Sequence, residues 1–195
     1  MSAQVSSHAS SHASSHASSQ DSQSIIRNVN DLYIDQIIQM KESVFPYDLP
    51  QESTVDFADA IQKYLTKKIN TRLTGRCVDV GYVKPNSIDI VSRSIGKINA
   101  SHFNGEVYYN IQARCKVCKP SQGQIVEGSV VGKSKHCVMV VFGPLQIAIP
   151  TTHHADASFY ASLEKGDKVH VRLISYKFKL NDDSIKVIGQ YVKKV

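Results

Sequence analysis

The clearest pattern of apolar positions along the chain is helical and lies between residues 57 and 73. Apolar side chains recur there at steps of three or four: Phe57, Ile61, Tyr64/Leu65, Ile69 and Leu73. This spacing puts them on one face of an α-helix. Ser53 or Thr54 is a suitable N-cap, and Gly75 follows the last apolar position as a C′ residue does. The sequence therefore predicts one long amphipathic helix.

Before this helix a segment is rich in aromatic and β-branched residues, and after Gly75 the apolar period is close to two; both features predict β-strands. One strand is expected before the helix, at 32–40, and three after it, at 76–83, 87–92 and 106–117. The turn residues at 84–86 and at 104–105 separate these strands. The order predicts a small α+β N-terminal domain, with the helix packed on an antiparallel sheet.

The last third of the chain alternates in the same way but contains no long helical pattern. Five short strands are predicted, at 124–131, 137–142, 145–150, 168–176 and 184–191, with a longer polar connection after the third. Glycines 128, 143 and 166 lie where corners or turns are needed. This pattern is typical of an all-β OB-fold barrel. A small SH-three-like barrel is the alternative.

The first 24 residues differ from the rest. Residues 5–19 read VSSHASSHASSHASS, with almost no bulky apolar side chains. Such a segment cannot offset the entropy of ordering, so 1–24 is predicted to be a disordered low-complexity tail. His8, His12 and His16 could bind a metal weakly, but a solvated extension is the favoured interpretation. The predicted domains are therefore 1–24 (tail), 25–120 (α+β) and 121–195 (OB barrel).

The charge of the chain is moderately basic, at +6 overall, and residues 121–195 hold ten basic and six acidic side chains. A basic surface suits a phosphate backbone, although charge alone does not decide this. No stretch approaches the roughly 20 apolar residues of a membrane span, and we predict no membrane contact. The polar N-terminus carries no recognisable secretory signal. A cytosolic or nuclear protein is the default expectation.

Enzyme and metal chemistry find little support in the sequence. Cys115 and Cys118 form a CxxC, but structural zinc usually needs two such pairs, and Cys77 and Cys137 are single and distant. The pair also falls in a predicted strand, where residues three apart point to opposite faces. His153-His154 with Asp156 comes without a nucleophile motif or cofactor loop. We therefore expect no metal, no cofactor and no catalytic residues.

Several segments resemble the seventh-subunit family of RNA polymerase II, the polymerase stalk subunit that has an archaeal counterpart. The matching segments are GQIVEGSVV at 123–131, FGPLQI at 142–147, YL at 64–65, GRC at 75–77, GYV at 81–83, IDI at 88–90 and KP at 119–120. The resemblance covers roughly residues 25–195, and Gly-Pro-Leu is its most specific piece. Residues 1–24 and 25–30 are extra. Cys137-Val138 replaces a usual Gly-Phe, and a usual aromatic near Ala148 is missing.

The resemblance implies a non-catalytic subunit of a DNA-dependent RNA polymerase. Its N-terminal domain would dock on polymerase core subunits and pair with a small helical stalk partner. The barrel, of the ribosomal S-one class, would contact nascent single-stranded RNA near the exit path. The hairpin Gly81, Tyr82, Val83, Lys84, Pro85 and Asn86 is the implied docking site. Nuclear location is expected for a cellular protein. Virion and infected-cell cytoplasm are expected for one encoded by a large DNA virus, which the divergence and the extension suit.

OB barrels bind single strands with the loops between strands one and two and between strands four and five. Basic residues are predicted at both loops: Lys133, Lys135 and His136 at the first, and Arg172, Lys177 and Lys179 at the second. Tyr176 and Phe178 could replace the missing aromatic platform, but packing against the core or an interface is favoured. The alternative function is an RNA-binding translation or RNA-decay factor with an OB barrel.

Overall fold

The computed structural model describes residues 24–49, 56–98, 104–153 and 158–195. Within these ranges it contains twelve strands and two α-helices. The strands are β1 Ile25–Ile26, β2 Tyr33–Val44, β3 Cys77–Val78, β4 Gly81–Val83, β5 Asp89–Arg93, β6 Lys97–Ile98, β7 Val107–Cys118, β8 Ile125–Lys133, β9 Cys137–Phe142, β10 Leu145–Pro150, β11 Lys168–Lys177 and β12 Ile185–Lys194. The helices are α1 Phe57–Leu73 and α2 Ser158–Ser162. The His-Ser repeat lies outside the described residues, as do His154 and Asp156.

The N-terminal sheet is organised around the long strand β7. β2 pairs antiparallel with β7 over the whole length of both strands, from Tyr33–Cys118 to Val44–Val107. The other edge of β7 is shared by β4, β5 and β6 in turn. Side chains alternate along β7, with Ile111 buried and its neighbour Gln112 exposed. This alternation is the period-two pattern from which the strand was predicted.

Helix α1 buries a narrower stripe than the sequence predicts. Ile61, Leu65 and Ile69 are buried in the same apolar cluster as Ile111 of β7. Phe57, predicted to belong to the stripe, is the first residue of the helix and is 54% exposed. The N-cap is Asp56, whose carboxylate accepts a hydrogen bond from Ala58 N at 2.9 Å. The proposed caps at 53 and 54 lie outside the described residues.

The segment predicted as one strand at 76–83 is a short hairpin of β3 and β4. Cys77 pairs with Tyr82 and Val78 with Gly81, so the chain reverses at 79–80. Gly81 has a φ of +138°, and a Cβ there would lie 2.5 Å from the carbonyl oxygen of Cys118. The reversal is therefore possible because residue 81 has no side chain. The single-strand prediction was wrong, since Asp79 and Gly81 are only weak turn signals among four apolar neighbours.

The second sheet closes into a barrel. Its five strands pair in the cyclic order β8–β9–β10–β12–β11, and β11 returns to β8. The predicted closed five-stranded barrel of OB type is confirmed, and two of its strands begin and end at the predicted residues. Helix α2 lies in the long connection between β10 and β11. The barrel core is built from alternate side chains, such as Leu145, Ile147 and Ile149 of β10, which are fully buried.

Strand β7 and the β3–β4 hairpin join the two cores. Cys115 packs in the core of the N-terminal sheet, whereas Cys118, three residues later, packs in the barrel core. The prediction that these two cysteines face opposite sides is thereby confirmed. Cys77 N–H donates to Asp182 O at 2.7 Å, and Asn181 N–H donates to Cys77 O at 2.8 Å. These bonds hold the β11–β12 turn against the N-terminal sheet.

Candidate nucleic-acid interface and docking surfaces

The first predicted basic group lies in the β8–β9 turn and is accessible. Lys133, Lys135 and His136, here called the β8–β9 cluster, are all exposed. The turn is fixed by its backbone, because Thr151 N–H donates to His136 O at 3.0 Å. The ammonium of Lys133 lies 4.4 Å from the centre of the Tyr160 ring, a cation–π contact. The cluster therefore presents three basic side chains on an ordered turn.

The second predicted basic group lies at the end of β11 and has acidic neighbours. Lys177 and Lys179, here called the β11 cluster, are exposed. Asp182 and Asp183 stand in the same turn, and Asp182 Oδ2 accepts a hydrogen bond from Lys179 N at 2.8 Å. Two carboxylates offset the two ammonium groups locally, so we expect this cluster to attract phosphate less than the β8–β9 cluster does.

Strand register places the two clusters at opposite ends of the barrel. β11 runs antiparallel to β8, with Lys168 opposite Ser129 and Arg172 opposite Ile125. Lys133 therefore extends beyond one end of this pairing, and Lys177 beyond the other. Arg172 is exposed between them, on the middle of β11. The structure does not bring the six residues into one patch, so a bound strand would have to cross the barrel.

The outward-facing side chains of β9 and β10 are uncharged and non-aromatic. These positions pair across the strands as Val141–Gln146, Met139–Ala148 and Cys137–Pro150. None of these side chains is aromatic or charged, which agrees with the loss of the stacking platform noted in the sequence. The Tyr176 and Phe178 rings are parallel, with centroids 6.4 Å apart, but both are half-buried against the barrel core. Their packing role, favoured from the sequence, is confirmed.

The predicted docking hairpin lies at the junction with the barrel. Gly81 and Val83 are buried, and Tyr82 packs against the barrel core. Lys84 Nζ donates to Asn30 Oδ1 at 2.8 Å. Pro85 and Asn86 are the exposed members of this hairpin. Docking at the hairpin stays a prediction, and these two residues are the ones that a partner could reach directly.

A different set of side chains forms an exposed apolar surface at the far end of the N-terminal sheet. Ile95 is 85% exposed, and Ile98 and Tyr47 are each 74% exposed. Ile98 and the last residue of β2 both pair with Val107, so these residues share the end of β7 opposite to the barrel. We call Tyr47, Ile95 and Ile98 the distal apolar surface. Isolated isoleucines among Ser, Gly and Lys at 94–98 were a usable signal that the sequence analysis missed.

A groove of about 490 Å³ lies where the two units meet. Its walls come from residues 37–40 of β2, the end of α1, the 78–80 turn and the β11–β12 turn. Two of its apolar side chains are largely exposed, Ile37 at 53% and Leu180 at 63%. One belongs to the N-terminal sheet and the other to the barrel, so a molecule bound here would contact both units.

The thiols at the junction between the units are fully buried. Burial raises the pKa of Cys118 to about 12 and that of Cys77 to about 11. Burial likewise raises the pKa of Tyr33 to about 12. These groups stay protonated at physiological pH, so the thiols are neutral packing groups and poor nucleophiles or ligands. The described residues contain no cluster of three potential metal ligands and no helix suited to crossing a membrane.

Two curated proteins are similar to this chain. A protein of Acanthamoeba polyphaga mimivirus, named as a DNA-directed RNA polymerase subunit, is 24% identical over 143 residues, which cover 67% of this chain and 71% of the viral protein. The DNA-directed RNA polymerase II subunit RPB7 of Saccharomyces cerevisiae is 30% identical over 94 residues. The chain is a relative of RNA polymerase subunits. The resemblance to the seventh-subunit family is thereby confirmed.

The two matches differ in extent. The yeast match covers 48% of this chain and 54% of RPB7, so the chain spans about half the length of that polymerase II subunit. The match to the viral protein is longer than the match to the yeast subunit, but its identity is lower. No protein-family model matches the chain. A viral relative also agrees with the expectation that such divergence suits a large DNA virus.

Proposed function

We propose that the protein is a non-catalytic stalk subunit of a DNA-dependent RNA polymerase. In this proposal the N-terminal α+β unit docks on the polymerase core, and the barrel, of the ribosomal S-one class, contacts nascent RNA. The observation that carries the proposal is the similarity to two polymerase subunits. The barrel and its two exposed basic ends support the RNA role. A cellular protein would act in the nucleus, and a viral one in the virion and the infected-cell cytoplasm.

We propose the distal apolar surface as the polymerase contact, as an alternative to the 81–86 hairpin that the resemblance implies. Monomeric proteins rarely leave several large apolar side chains exposed together unless a partner covers them. The hairpin pairs with the Cys118 end of β7, whereas β6 pairs with the Val107 end. At about 3.4 Å per residue the two ends are roughly 35 Å apart. Docking at the distal end would leave the barrel free to reach RNA.

Copurification with the polymerase tests this placement. The double substitution Ile95→Asp and Ile98→Asp should abolish recovery of the large polymerase subunits with the tagged chain. Val131→Asp is a matched control, because Val131 is an exposed valine on the barrel, 44% accessible. Equal recovery with the double variant and the control would reject the distal surface as the docking site. Recovery of ribosomal or nuclease components in place of polymerase subunits would favour the translation or RNA-decay alternative.

Substitutions within the 81–86 hairpin distinguish the two docking sites further. Because Tyr82 packs against the barrel core, its loss should lower the melting temperature of the chain. If the hairpin were the docking site, replacing its exposed residues Pro85 and Asn86 by Ala would prevent copurification without changing the melting temperature. We expect that pair of substitutions to leave recovery unchanged.

We propose that RNA is held mainly through its phosphates. The β9–β10 face offers no aromatic ring for stacking, so the contribution of about 1–3 kcal/mol per stacked base is missing there. Each phosphate contact to a single strand contributes about 0.7 to the slope of log affinity against log salt. Replacing Lys133 and Lys135 by Ala should lower the slope by about 1.4 if each contacts one phosphate. The same change at Lys177 and Lys179 should have a smaller effect because of Asp182 and Asp183.

Titration of a single-stranded RNA at two salt concentrations measures both slopes. Val192→Ala, which changes an exposed uncharged side chain of β12, serves as the reference variant. Unchanged affinity and slope in both lysine pairs would reject the phosphate-contact proposal.

We propose that the small helical stalk partner implied by the resemblance binds in the groove between the two units. An amphipathic helix could bury Ile37 and Leu180 together, one on each wall. Ile37→Asp with Leu180→Asp should remove such a partner from the purified complex without affecting RNA affinity. Retention of the partner by this variant would reject the groove as its binding site.

A further inference from the structure

In the described part of the barrel, the start of β8 has a strand edge that no other barrel strand pairs with. β8 pairs with β11 through Ile125–Ser129 and with β9 only from Ser129 to Lys133. The second edge of β8 at its start therefore has no barrel strand beside it. Val126 in this stretch is fully buried. Backbone groups at such an edge need hydrogen-bond partners if they are not to face water or pair with another chain.

Residues 24–30 cover this edge. β1 runs parallel to the start of β8, with Ile25 beside Ile125 and Ile26 beside Val126. The segment then crosses the β9–β10 turn, where Val29 packs directly on Gly143. Gly143 has a φ of +56°, and a Cβ at that position would collide with Val29 Cγ1. Val29 can therefore pack at this turn only because residue 143 has no side chain.

Polar contacts hold both ends of the segment. On the barrel side, Arg27 Nε lies 3.5 Å from Glu127 Oε2. On the other side, Asn30 accepts a hydrogen bond from Lys84, which belongs to the N-terminal sheet unit. The chain then enters β2 at Tyr33, opposite Cys118. Within nine residues the segment thus touches the barrel edge, the barrel turn and the N-terminal unit.

The cover is nevertheless slight compared with the rest of the barrel. β1 has two residues, whereas β11 and β12 have ten each. Ile25, Ile26 and Val29 are only partly buried, and the Arg27 side chain is 71% exposed. Segments with few buried contacts open at lower free energy than the core they cover.

We propose that residues 24–30 form a latch that closes the open edge of β8 and that opens while the barrel and the N-terminal unit stay folded. With the latch open, the start of β8 presents unpaired backbone groups to which an extended chain could add as a strand.

Amide hydrogen exchange on the full-length chain tests the latch. Val29→Asp removes the contact with Gly143, and Arg27→Glu places a second carboxylate beside Glu127. In both variants exchange should accelerate by about tenfold or more at those amides of 125–127 that point toward β1, since opening of the latch then limits protection there, whereas the amides that point toward β11 should stay protected. Exchange at Val140, Ile147 and Val187 in the barrel core should stay as in the unchanged chain. Val192→Asp, a valine 42% exposed on β12, is the matched control and should change neither set.

Two results would overturn the proposal. Unchanged exchange at 125–127 in both variants would mean that residues 24–30 do not protect the edge. Loss of protection throughout the barrel in Arg27→Glu would mean that the segment is an integral part of the barrel core. The Arg27 variant separates these outcomes from simple misfolding, because its side chain is largely exposed.

Discussion

Replacement of Gly81 by alanine gives the sharpest test of how the two units are joined. Gly81 begins β4, and its φ of +138° lies in a region that side chains rarely adopt. A Cβ there would also lie 2.5 Å from Cys118 O and 2.7 Å from Val117 Cγ1. Cys118 O belongs to the backbone at the end of β7. This backbone cannot move without disturbing both cores.

The expected cost has two parts. An alanine in a sparsely populated backbone region costs about 1–3 kcal/mol. Forcing an extra carbon into a packed site costs about 1–3 kcal/mol more. The sum, roughly 2–6 kcal/mol, is a large share of the 5–15 kcal/mol that stabilises a typical domain. For a chain of this size it corresponds to a fall in melting temperature of roughly 5–20 °C.

Two other glycines separate the parts of this effect. Gly75 has a φ of +72°, and a Cβ there would meet only Tyr82 Oη at 3.9 Å, so Gly75→Ala should show the backbone cost alone. Gly132 has an ordinary φ and nothing within 4 Å, so Gly132→Ala should be nearly neutral. Thermal melting followed by circular dichroism ranks the three variants. A Gly81 variant that melts with the Gly132 variant would refute the reasoning.

Three further predictions concern burial and charge. With an alkylating reagent at pH 8, Cys137, which is partly exposed, should react while Cys77 and Cys118 stay unmodified; modification of all three in the folded chain would contradict the burial of the two junction thiols. Folding raises the pKa of Tyr33 from 10.0 to about 12 and that of Cys118 from 9.0 to about 12. Their contribution to stability is therefore complete below pH 9 and lost as the pH rises to about 12, so urea midpoints should fall across this range, and less steeply in Cys118→Ala. Arg72→Ala should cost about 3 kcal/mol, because it leaves the buried Glu42 carboxylate without its cation, and the paired change to Met at both positions should recover most of this in urea unfolding.

The elements that the sequence predicts well are those whose pattern is local. Strand β9 is a short apolar run and β10 alternates, both end at turn residues, and helix α1 carries an apolar stripe closed by Gly75. The β3–β4 hairpin was missed because its reversal depends on a close approach of Gly81 to β7, which is about 37 residues away along the chain. Strand β6 was missed because two residues carry no period.

The candidate interfaces were harder to predict because exposure depends on distant parts of the chain. The basic residues at 133–136 and at 177–179 can be read from the sequence. The hydrogen bonds between the β11–β12 turn and Cys77 cannot, because they join segments that are far apart along the chain. The docking role of the 81–86 hairpin was implied by the resemblance, and the packing of Tyr82 against the barrel core is invisible in the local pattern. Only the fold shows that Ile95 and Ile98 are largely exposed.

The long β2–β7 ladder also determines how the molecule would carry a mechanical load. β7 runs from the distal apolar surface to the barrel junction and is paired with β2 along all twelve residues. Tension applied between the two ends acts along the strands, perpendicular to hydrogen bonds that lie across them. Those bonds then resist together, in shear, and do not open one after another. The N-terminal unit should therefore extend little under load, and a force applied to the barrel should be transmitted to a partner bound at the distal apolar surface.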